Sequence, residues 1–376
     1  MLPKTKIDSR VIKKDRNPMD QKQTKTSNLR PLWLTAALCV SSIAAALDIG
    51  YGVTVLGHVL LMVMLGIYAV IFMTCERYVA VLNAIAVFAI LFFTSRDPSL
   101  ALFGAVILIA AMILSVFVRK KCTKTTAVLT VTLCVSIGYL AVIAIFYGAE
   151  GNSLLPSDIL NHLNDYFESL KASLADVVRM SFESLPEETL KIYESYGYTQ
   201  DMLITTGIEN MEFYVDYLQM LLPGLLIALF QFMAFFALFA FTTAVRIARC
   251  EAIFPEPRWI VYPTQVSCVV YMITLFLYVI VSFFAATSTV GLIVSNFWLV
   301  LMPTMLICGF RSLAMRLKHP RFRRQTIIIL VLFVIGFFFF AEAALELGIL
   351  MLTFIGVQDV SASRAVESRF KKPEDE

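Results

Sequence analysis

Four ionisable side chains lie within or beside long apolar stretches, where a charge is costly and usually serves a function. Asp48 closes the first stretch and His58 lies one turn into the second, so a short hairpin would bring them together. They would form a ligand-facing or proton-accepting pair, or else interfacial residues that reach water. Glu342 and Glu346 are four residues apart and share a helical face, where they could bind a cation or a proton. Their alternative place is a water-exposed hairpin tip.

The signatures of several enzyme classes are absent from the sequence. The chain has no Gly-Lys pair, and therefore no Walker-type phosphate loop, and it has no HExxH zinc motif. Its seven cysteines include no CxxC pair, which favours reduced structural thiols over a disulfide framework or a metal site. We therefore predict no catalytic residues, no metal site, no cofactor and no enzymatic activity. A role driven by ATP would need another subunit.

A ridge of small side chains runs along the first apolar stretch. Ala37, Ser41 and Ala45 recur every four residues, a spacing that puts them on one helical face. Small residues in this register let a second membrane helix approach closely. The ridge would either pack inside the protein or dock onto a partner membrane subunit.

Carboxamides and prolines in the apolar stretches predict local features of the helices. A carboxamide can form interhelical hydrogen bonds, which are worth about 0.6 kcal/mol each. A proline kinks or interrupts a membrane helix, and such breaks turn carbonyls toward a cavity in many transporters. The residues concerned are Asn83, Gln231, Gln265 and Asn296, together with the Pro223-Gly224 pair and Pro303.

The elements that carry these residues are nine stretches long and apolar enough to cross a bilayer. A helix needs about 20 residues to cross about 30 Å of hydrocarbon, and lipid offers its backbone groups no other partner. The sequence therefore predicts an all-α polytopic protein of the lipid bilayer with about nine, and between eight and ten, transmembrane helices. They are residues 32–49, 53–73, 78–93, 100–118, 126–147, 219–245, 265–286, 292–310 and 326–357.

The last apolar stretch, residues 326–357, is longer than one crossing requires. One long helix would put the C-terminus on the far side of the membrane. A break near residues 341–346 would instead make a hairpin with arms short for full crossings. We favour the hairpin because it returns the basic C-terminal residues to the side of the other basic loops.

The distribution of charge predicts the orientation in the cell membrane. Residues 1–31 carry nine Lys or Arg and three Asp, in a composition typical of a disordered arm. Because basic segments stay inside, the N-terminus should be cytoplasmic, and the basic loops that follow alternate accordingly through eight spans. The arm would be a solvated tail, or would contact anionic lipid weakly.

The one sizeable soluble segment is an acidic insertion at residues 148–218, with thirteen Asp or Glu against three Lys or Arg. Two helix starts and an apolar stripe of residues at steps of three and four predict a small helical bundle outside the cytoplasm. The stripe is Leu160, Leu163, Phe167, Leu170, Leu174 and Val177. It would pack internally, against the membrane core, or on a partner chain.

These features divide the chain into five predicted regions. A basic cytoplasmic tail (1–31) precedes a first membrane bundle of five helices (32–147). The acidic insertion (148–218) leads to a second bundle of four helices or more (219–357) and a charged C-terminal tail (358–376).

The C-terminal half resembles the YybS-like family of predicted bacterial membrane proteins, a domain of unknown function. The resemblance covers roughly residues 221–364, and is carried by PRWIVYP at 257–263, Asn296, CGF at 308–310, IGVQD at 355–359 and Arg364. It implies a fold akin to the substrate-binding subunits of energy-coupling-factor transporters. Such a subunit captures a small ligand and works with an ATPase module and a second membrane subunit in trans. The resemblance implies no catalytic residues.

Three functions are consistent with these features. The first is a transporter-type substrate-capture subunit for a small molecule. The second is a membrane scaffold or sensor that acts through the acidic insertion, and the third is an intramembrane enzyme that uses Glu342 and Glu346. We favour the first, and we expect no nucleic acid among the partners.

Overall fold

The computed structural model describes residues 30–50, 54–95, 97–248, 263–284, 287–339 and 341–370. The tail at 1–29, the motif residues 257–262, Cys250 and residues 371–376 lie outside this part of the chain. The described residues form twelve helices and no strand. They are α1 (Arg30–Gly50), α2 (Thr54–Thr74), α3 (Arg77–Ser95), α4 (Pro98–Arg119), α5 (Lys124–Ala149), α6 (Pro156–Glu183), α7 (Glu187–Ser195), α8 (Gln200–Ile247), α9 (Gln265–Phe284), α10 (Thr289–Lys318), α11 (Pro320–Phe339) and α12 (Ala341–Phe370).

Ten of these helices are long and apolar enough to cross a membrane, and α6 and α7 are not among them. The chain is therefore a polytopic helical membrane protein, as the apolar stretches predict. The tenth span arises because residues 326–357 contribute to two helices, α11 and α12.

Helices α11 and α12 form the predicted hairpin. Gly336 lies beside Ala344, and Gly348 lies against the ring of Phe333, so the two helices pack antiparallel. The arms are not short, which corrects our expectation. Helix α11 begins at Pro320 and has 20 residues, while α12 has 30 residues, because both helices extend beyond the purely apolar window.

The prolines in the spans do not end their helices. Pro223 lies inside α8, a helix of 48 residues, and Pro303 lies inside α10, a helix of 30 residues. Pro303 is buried in its helix. Neighbouring helices can supply the hydrogen bonds that a proline removes, so a membrane helix tolerates it.

The contacts divide the chain into two compact units. Unit 1 comprises Met1–Val116 and Phe239–Ala252, and unit 2 comprises Phe117–Leu238 and Ile253–Glu376. In unit 1, α1 packs on α2 and α3. The Tyr68 hydroxyl donates to the carbonyl of Ala80 at 3.1 Å, and the Ser115 hydroxyl donates to that of Ala69 at 2.8 Å. These bonds join α2 to α3 and to α4.

In unit 2, α10 is the central helix and packs on α9, α11 and α12. Its core is an apolar cluster that includes Cys268, Trp298, Met305 and Val357. A Cβ on Gly309 would overlap the Leu352 carbonyl, so glycine is needed for α10 and α12 to come this close.

The acidic insertion is formed by α6, α7 and the beginning of α8, which continues into the membrane as the sequence predicts. The Lys171 ammonium contacts the carboxylates of Asp216 and Glu168, both at 2.7 Å. The hydrogen bonds that Lys171 donates, to Asp216 first and then to Glu168, raise its pKa. The Asn164 side chain accepts from Gln219 at 2.7 Å, so α6 lies antiparallel along α8.

The apolar stripe on α6 packs inside the insertion only in part. Phe167 is buried and Leu163, Leu170 and Leu174 are half-buried, whereas Leu160 and Val177 at its two ends are exposed. Phe182 and Val178, just beyond the stripe, meet Gly207 of α8. Internal packing is therefore confirmed for the middle of the stripe.

Candidate functional site

A carboxamide bridges α8 and α10 at the Pro223-Gly224 pair. The Asn296 Oδ1 atom accepts from the Gly224 amide at 2.8 Å, and its Nδ2 atom donates to the Met220 carbonyl at 3.1 Å. In a regular α-helix this amide and this carbonyl would be partners of each other. A Cβ on Gly224 would lie 2.7 Å from Asn296 Oδ1, so only glycine permits this approach. Asn296 thus stabilises α8 at its proline.

Gln231 makes a second bridge between the same helices, since its Nε2 donates to the Val300 carbonyl at 2.8 Å. The interhelical bonds predicted for Asn296 and Gln231 are confirmed. Asn83 instead donates to the Val79 carbonyl of its own helix, so that prediction was wrong. Gln265 is exposed at the start of α9.

A polar and aromatic cluster joins α9, α10 and α12. The Tyr278 ring stacks on Trp298 with centroids 4.2 Å apart and planes 10° from parallel. The Tyr278 hydroxyl donates to Glu346 Oε1 at 3.3 Å. Glu346 is exposed, whereas Trp298 is buried, so this cluster runs from an exposed carboxylate into the core of unit 2.

Two polar hydrogens at the inner part of this cluster are not used fully. The Tyr271 hydroxyl is completely buried, and the side chains of Thr353 and Trp298 lie within hydrogen-bonding reach of it, although poorly aligned. Neither Tyr271 Oη nor Trp298 Nε1 makes a hydrogen bond of acceptable geometry with any described residue. A buried polar group without a partner costs about 1–3 kcal/mol, so two such donors side by side are an unusual feature. They could donate together to an acceptor atom of a ligand.

The depth of the cluster follows from the helix directions. Gly224 of α8 contacts Asn296 of α10, and Gln231, two turns later on α8, contacts Val300, one turn later on α10. The two helices therefore run parallel. The ends of α9 and α11 and the starts of α10 and α12 consequently lie where α8 enters from the insertion. Tyr278 and Glu346 are close to these ends. The Tyr278–Glu346 end of the cluster therefore lies in the half of unit 2 nearer the insertion, and Tyr271 lies two turns deeper along α9.

The sequence could have indicated these aromatic residues. Tyr271 and Tyr278 are seven residues apart on α9, and Glu346 and Thr353 are seven apart on α12. Residues two turns apart share a face, so each pair presents two polar groups to the neighbouring helices. We missed the signal because aromatic residues in a membrane span are unremarkable individually.

Asp48 and His58 lie in unit 1, where Asp48 has a structural contact. Its Oδ2 atom accepts from the Gly57 amide at 2.5 Å, which satisfies one of the free amides at the start of α2. The His58 ring lies 6.2 Å from that of Phe103, tilted by 55°. The turn does bring Asp48 next to the residue that precedes His58.

The structure describes Glu346 but not the side chain of Glu342, although both lie on α12. Of the ridge residues, Ser41 and Ala45 are buried inside unit 1 and Ala37 is exposed. The Ser41 hydroxyl donates to the Leu38 carbonyl of its own helix at 2.9 Å. Among the described residues no group of three His, Cys, Asp or Glu is placed to hold a metal ion.

The family motifs meet in unit 2. Gly309 and Gly356 lie at one close crossing of α10 and α12, since a Cβ on Gly356 would be 2.6 Å from the Gly309 nitrogen. One turn below, Arg316 Nη2 donates to Asp359 Oδ1 at 2.7 Å. The motif residues Gly309, Gly356 and Asp359, with Arg316 as the partner of Asp359, thus hold together α10 and α12, two of the helices that form the cluster.

Comparison with known sequences assigns the chain to a family. No curated protein and no solved structure matches the chain. Residues 42–350, more than half of the chain, match the family described as predicted membrane protein (DUF2232). The chain therefore belongs to this family of predicted membrane proteins, which confirms the resemblance that its C-terminal motifs indicated.

Proposed function

We propose that the protein is the substrate-capture subunit of a transporter and binds a small molecule in unit 2. The observation that supports this most is the pair of buried donors, Tyr271 Oη and Trp298 Nε1, beside the Tyr278–Glu346 hydrogen bond. Water cannot satisfy such groups within the hydrocarbon region, so a ligand with an acceptor atom would remove an energetic cost. Glu346 would attract a polar or cationic part of the same ligand.

The proposal includes an orientation. Basic loops stay in the cytoplasm, which puts the N-terminus inside and the acidic insertion outside. The Tyr278–Glu346 end of the cluster then faces ligands outside the cell, and Tyr271 lies deeper in the membrane. Binding without chemical conversion is sufficient for this role, so we propose no enzymatic activity.

Transport would require partners. With no phosphate loop of its own, the chain would rely on an ATPase module and a second membrane subunit. Ala37, exposed on α1, is the part of the small-residue ridge available for docking. Affinity purification of the full chain from its native membranes should recover both partners reproducibly, and recovery of neither would contradict the docking role.

A thermal-shift screen tests ligand capture. Purified protein is heated with vitamins, metal ions, amines or nucleotides, because a ligand that binds the folded form raises the melting temperature. We expect at least one compound to stabilise the wild type and to lose most of this effect in Trp298→Phe and Tyr271→Phe. Tyr78→Phe, an exposed tyrosine of unit 1, is the matched control. Equal shifts in all four proteins would exclude the cluster as the site.

A scaffold or sensor role is the second candidate, and the insertion supports it. Its surface carries large exposed apolar and aromatic side chains, including Leu160, Tyr166, Met180, Ile192 and Tyr196. Exposed apolar groups of this kind often mark contact with a partner. Deletion of residues 156–212 separates the two roles. Loss of a crosslinked partner with ligand stabilisation unchanged would assign the insertion to scaffolding.

A further inference from the structure

A long apolar groove lies between α10, α11 and α12 in unit 2. Its volume is 440 Å³, and apolar side chains line it throughout, among them Phe310, Leu313, Phe333, Leu347 and Met351. Gly336 leaves room in the groove because it has no side chain, and Gly348 lets the Phe333 ring pack against α12. From Ala344 to Ile355 it follows α12 for about 16 Å at 1.5 Å per residue.

The groove opens toward lipid. Helix α11 forms one wall, and of its described residues Thr326 alone is buried. A small polar ligand would find no hydrogen-bonding partner here. Averaged over a length of about 16 Å, a volume of 440 Å³ makes the groove narrower than a transmembrane helix of ~10 Å diameter. The dimensions suit a single hydrocarbon chain.

One end of the groove is charged. Ile355 lines it, and Asp359 follows four residues later on the same face of α12. Leu313 lines the α10 wall, and Arg316 follows three residues later. Arg316 and Asp359 form a half-buried ion pair with Nη2 and Oδ1 2.7 Å apart. Two of the five guanidinium N–H groups serve this pair, so others remain for a ligand.

Positive charge dominates this end. Residues 311–324, which end α10 and begin α11, contain six Lys or Arg and no Asp or Glu. Basic pockets between membrane helices attract the headgroups of anionic lipids. The combination of an apolar channel and a basic end therefore has the chemistry of an anionic phospholipid.

We propose that this groove is a specific binding site for one anionic phospholipid. One acyl chain lies between α11 and α12, and the phosphate lies at Arg316. The site is separate from the ligand cluster, because Glu346 and Thr353 lie on the side of α12 that faces α9. Its occupancy therefore does not depend on the proposed capture function.

Native mass spectrometry of the full-length protein, released from detergent with phosphatidylglycerol or phosphatidylcholine, tests this site. We expect the wild type to retain one phosphatidylglycerol in preference to phosphatidylcholine. Gly336→Leu fills the groove and should reduce retention of either lipid about tenfold, because the chain loses its apolar contacts. Val334→Phe adds bulk to an exposed neighbour outside the groove and should leave retention unchanged. Ala344→Met replaces Gly336→Leu if that variant does not fold.

A second pair of variants tests the headgroup. Arg316→Gln with Asp359→Asn removes both charges of the ion pair and should abolish the preference for phosphatidylglycerol. Lys120→Gln with Lys121→Gln removes two exposed charges in the turn after α4, outside the basic segment at 311–324, and should preserve it. Equal retention of both lipids by the wild type, or equal losses in Gly336→Leu and Val334→Phe, would overturn the proposal. A protein partner found in the groove would overturn it as well.

Discussion

The two units treat their buried polar groups differently. In unit 1, the polar side chains at helix contacts bond to backbone: Tyr68 to Ala80, Ser115 to Ala69, and Asp48 to Gly57. Asn83 Oδ1 is the one buried side-chain atom without a partner among the described residues of this unit. In unit 2 the corresponding residues are Thr132, Tyr147, Gln231, Tyr271, Trp298, Arg311 and Ser312. The protein itself therefore satisfies most buried polar side chains of unit 1. In unit 2, more buried polar atoms have no hydrogen bond from the described residues.

The units also differ in what their helical glycines contact. Gly309 of unit 2 abuts backbone, while Gly104 of unit 1 abuts the flexible end of Leu91. We expect Gly309→Ala to lower the free energy of unfolding by about 3 kcal/mol, because backbone cannot yield to the new methyl group. Gly104→Ala should stay within about 1 kcal/mol of the wild type, since alanine favours the helix. Unfolding in detergent measures both, and equal effects would remove this difference between the units.

The carboxamides provide the next largest contrast. Asn296→Leu removes two bonds to α8 and should destabilise the protein by about 2 kcal/mol. Asn83→Leu removes one bond within α3 and should cost less than about 1 kcal/mol. Denaturant titration of both variants compares them directly. A larger loss for Asn83→Leu would show that Asn296 does not stabilise α8 at Pro223.

Removal of a tyrosine hydroxyl should have opposite signs in the two units. Tyr68→Phe loses the bond to Ala80 and should destabilise the ligand-free protein by about 1 kcal/mol. Tyr271→Phe removes a buried hydroxyl that lacks a well-formed bond, so stability should be unchanged or rise by up to about 1 kcal/mol. The melting temperatures of both variants and the wild type, measured without ligand, test these two expectations. A clear loss for Tyr271→Phe would mean that its hydroxyl is already satisfied.

The smallest effect is expected in the insertion. Lys171→Met should increase hydrogen exchange in α6, because the contacts to Asp216 and Glu168 are lost, whereas the exposed Lys191→Met should not. Since the pKa of Lys171 is raised in the folded protein, its contribution is complete below the unfolded pKa of about 10.4. It is lost as the pH rises through the higher, folded pKa. The ratio of the α6 protection factors of wild type and Lys171→Met should therefore be the same at pH 7 and pH 9.

Much of the fold could be predicted because lipid imposes a simple rule. Any stretch as apolar as residues 100–118 must form a helix in the bilayer, and α4 does so at Pro98–Arg119. Helix ends with mixed composition were harder to predict. Helix α11 begins in the basic segment at Pro320, where hydropathy gives no signal, and the arms of the last hairpin were therefore underestimated.

The candidate site was predictable only in part. Glu346 was chosen because a carboxylate near a membrane span is conspicuous, and it does meet Tyr278. The seven-residue spacing of Tyr271 and Tyr278 was a weak signal and Trp298 had none, since nearly every span has aromatic residues and only packing decides which of them lose contact with water and lipid. The four-residue spacing predicted that Ala37, Ser41 and Ala45 share one helical face. It did not predict which of these side chains are buried.

Hydrophobicity and backbone hydrogen bonding are local requirements, so the order of residues alone requires that this chain cross the membrane many times as helices. Short motifs in that order also identify the family. Which polar groups meet depends instead on how the helices pack. Asn296 reaches Gly224 across 72 positions of sequence, and Tyr278 reaches Glu346 across 68, and such distances close only when helices pack.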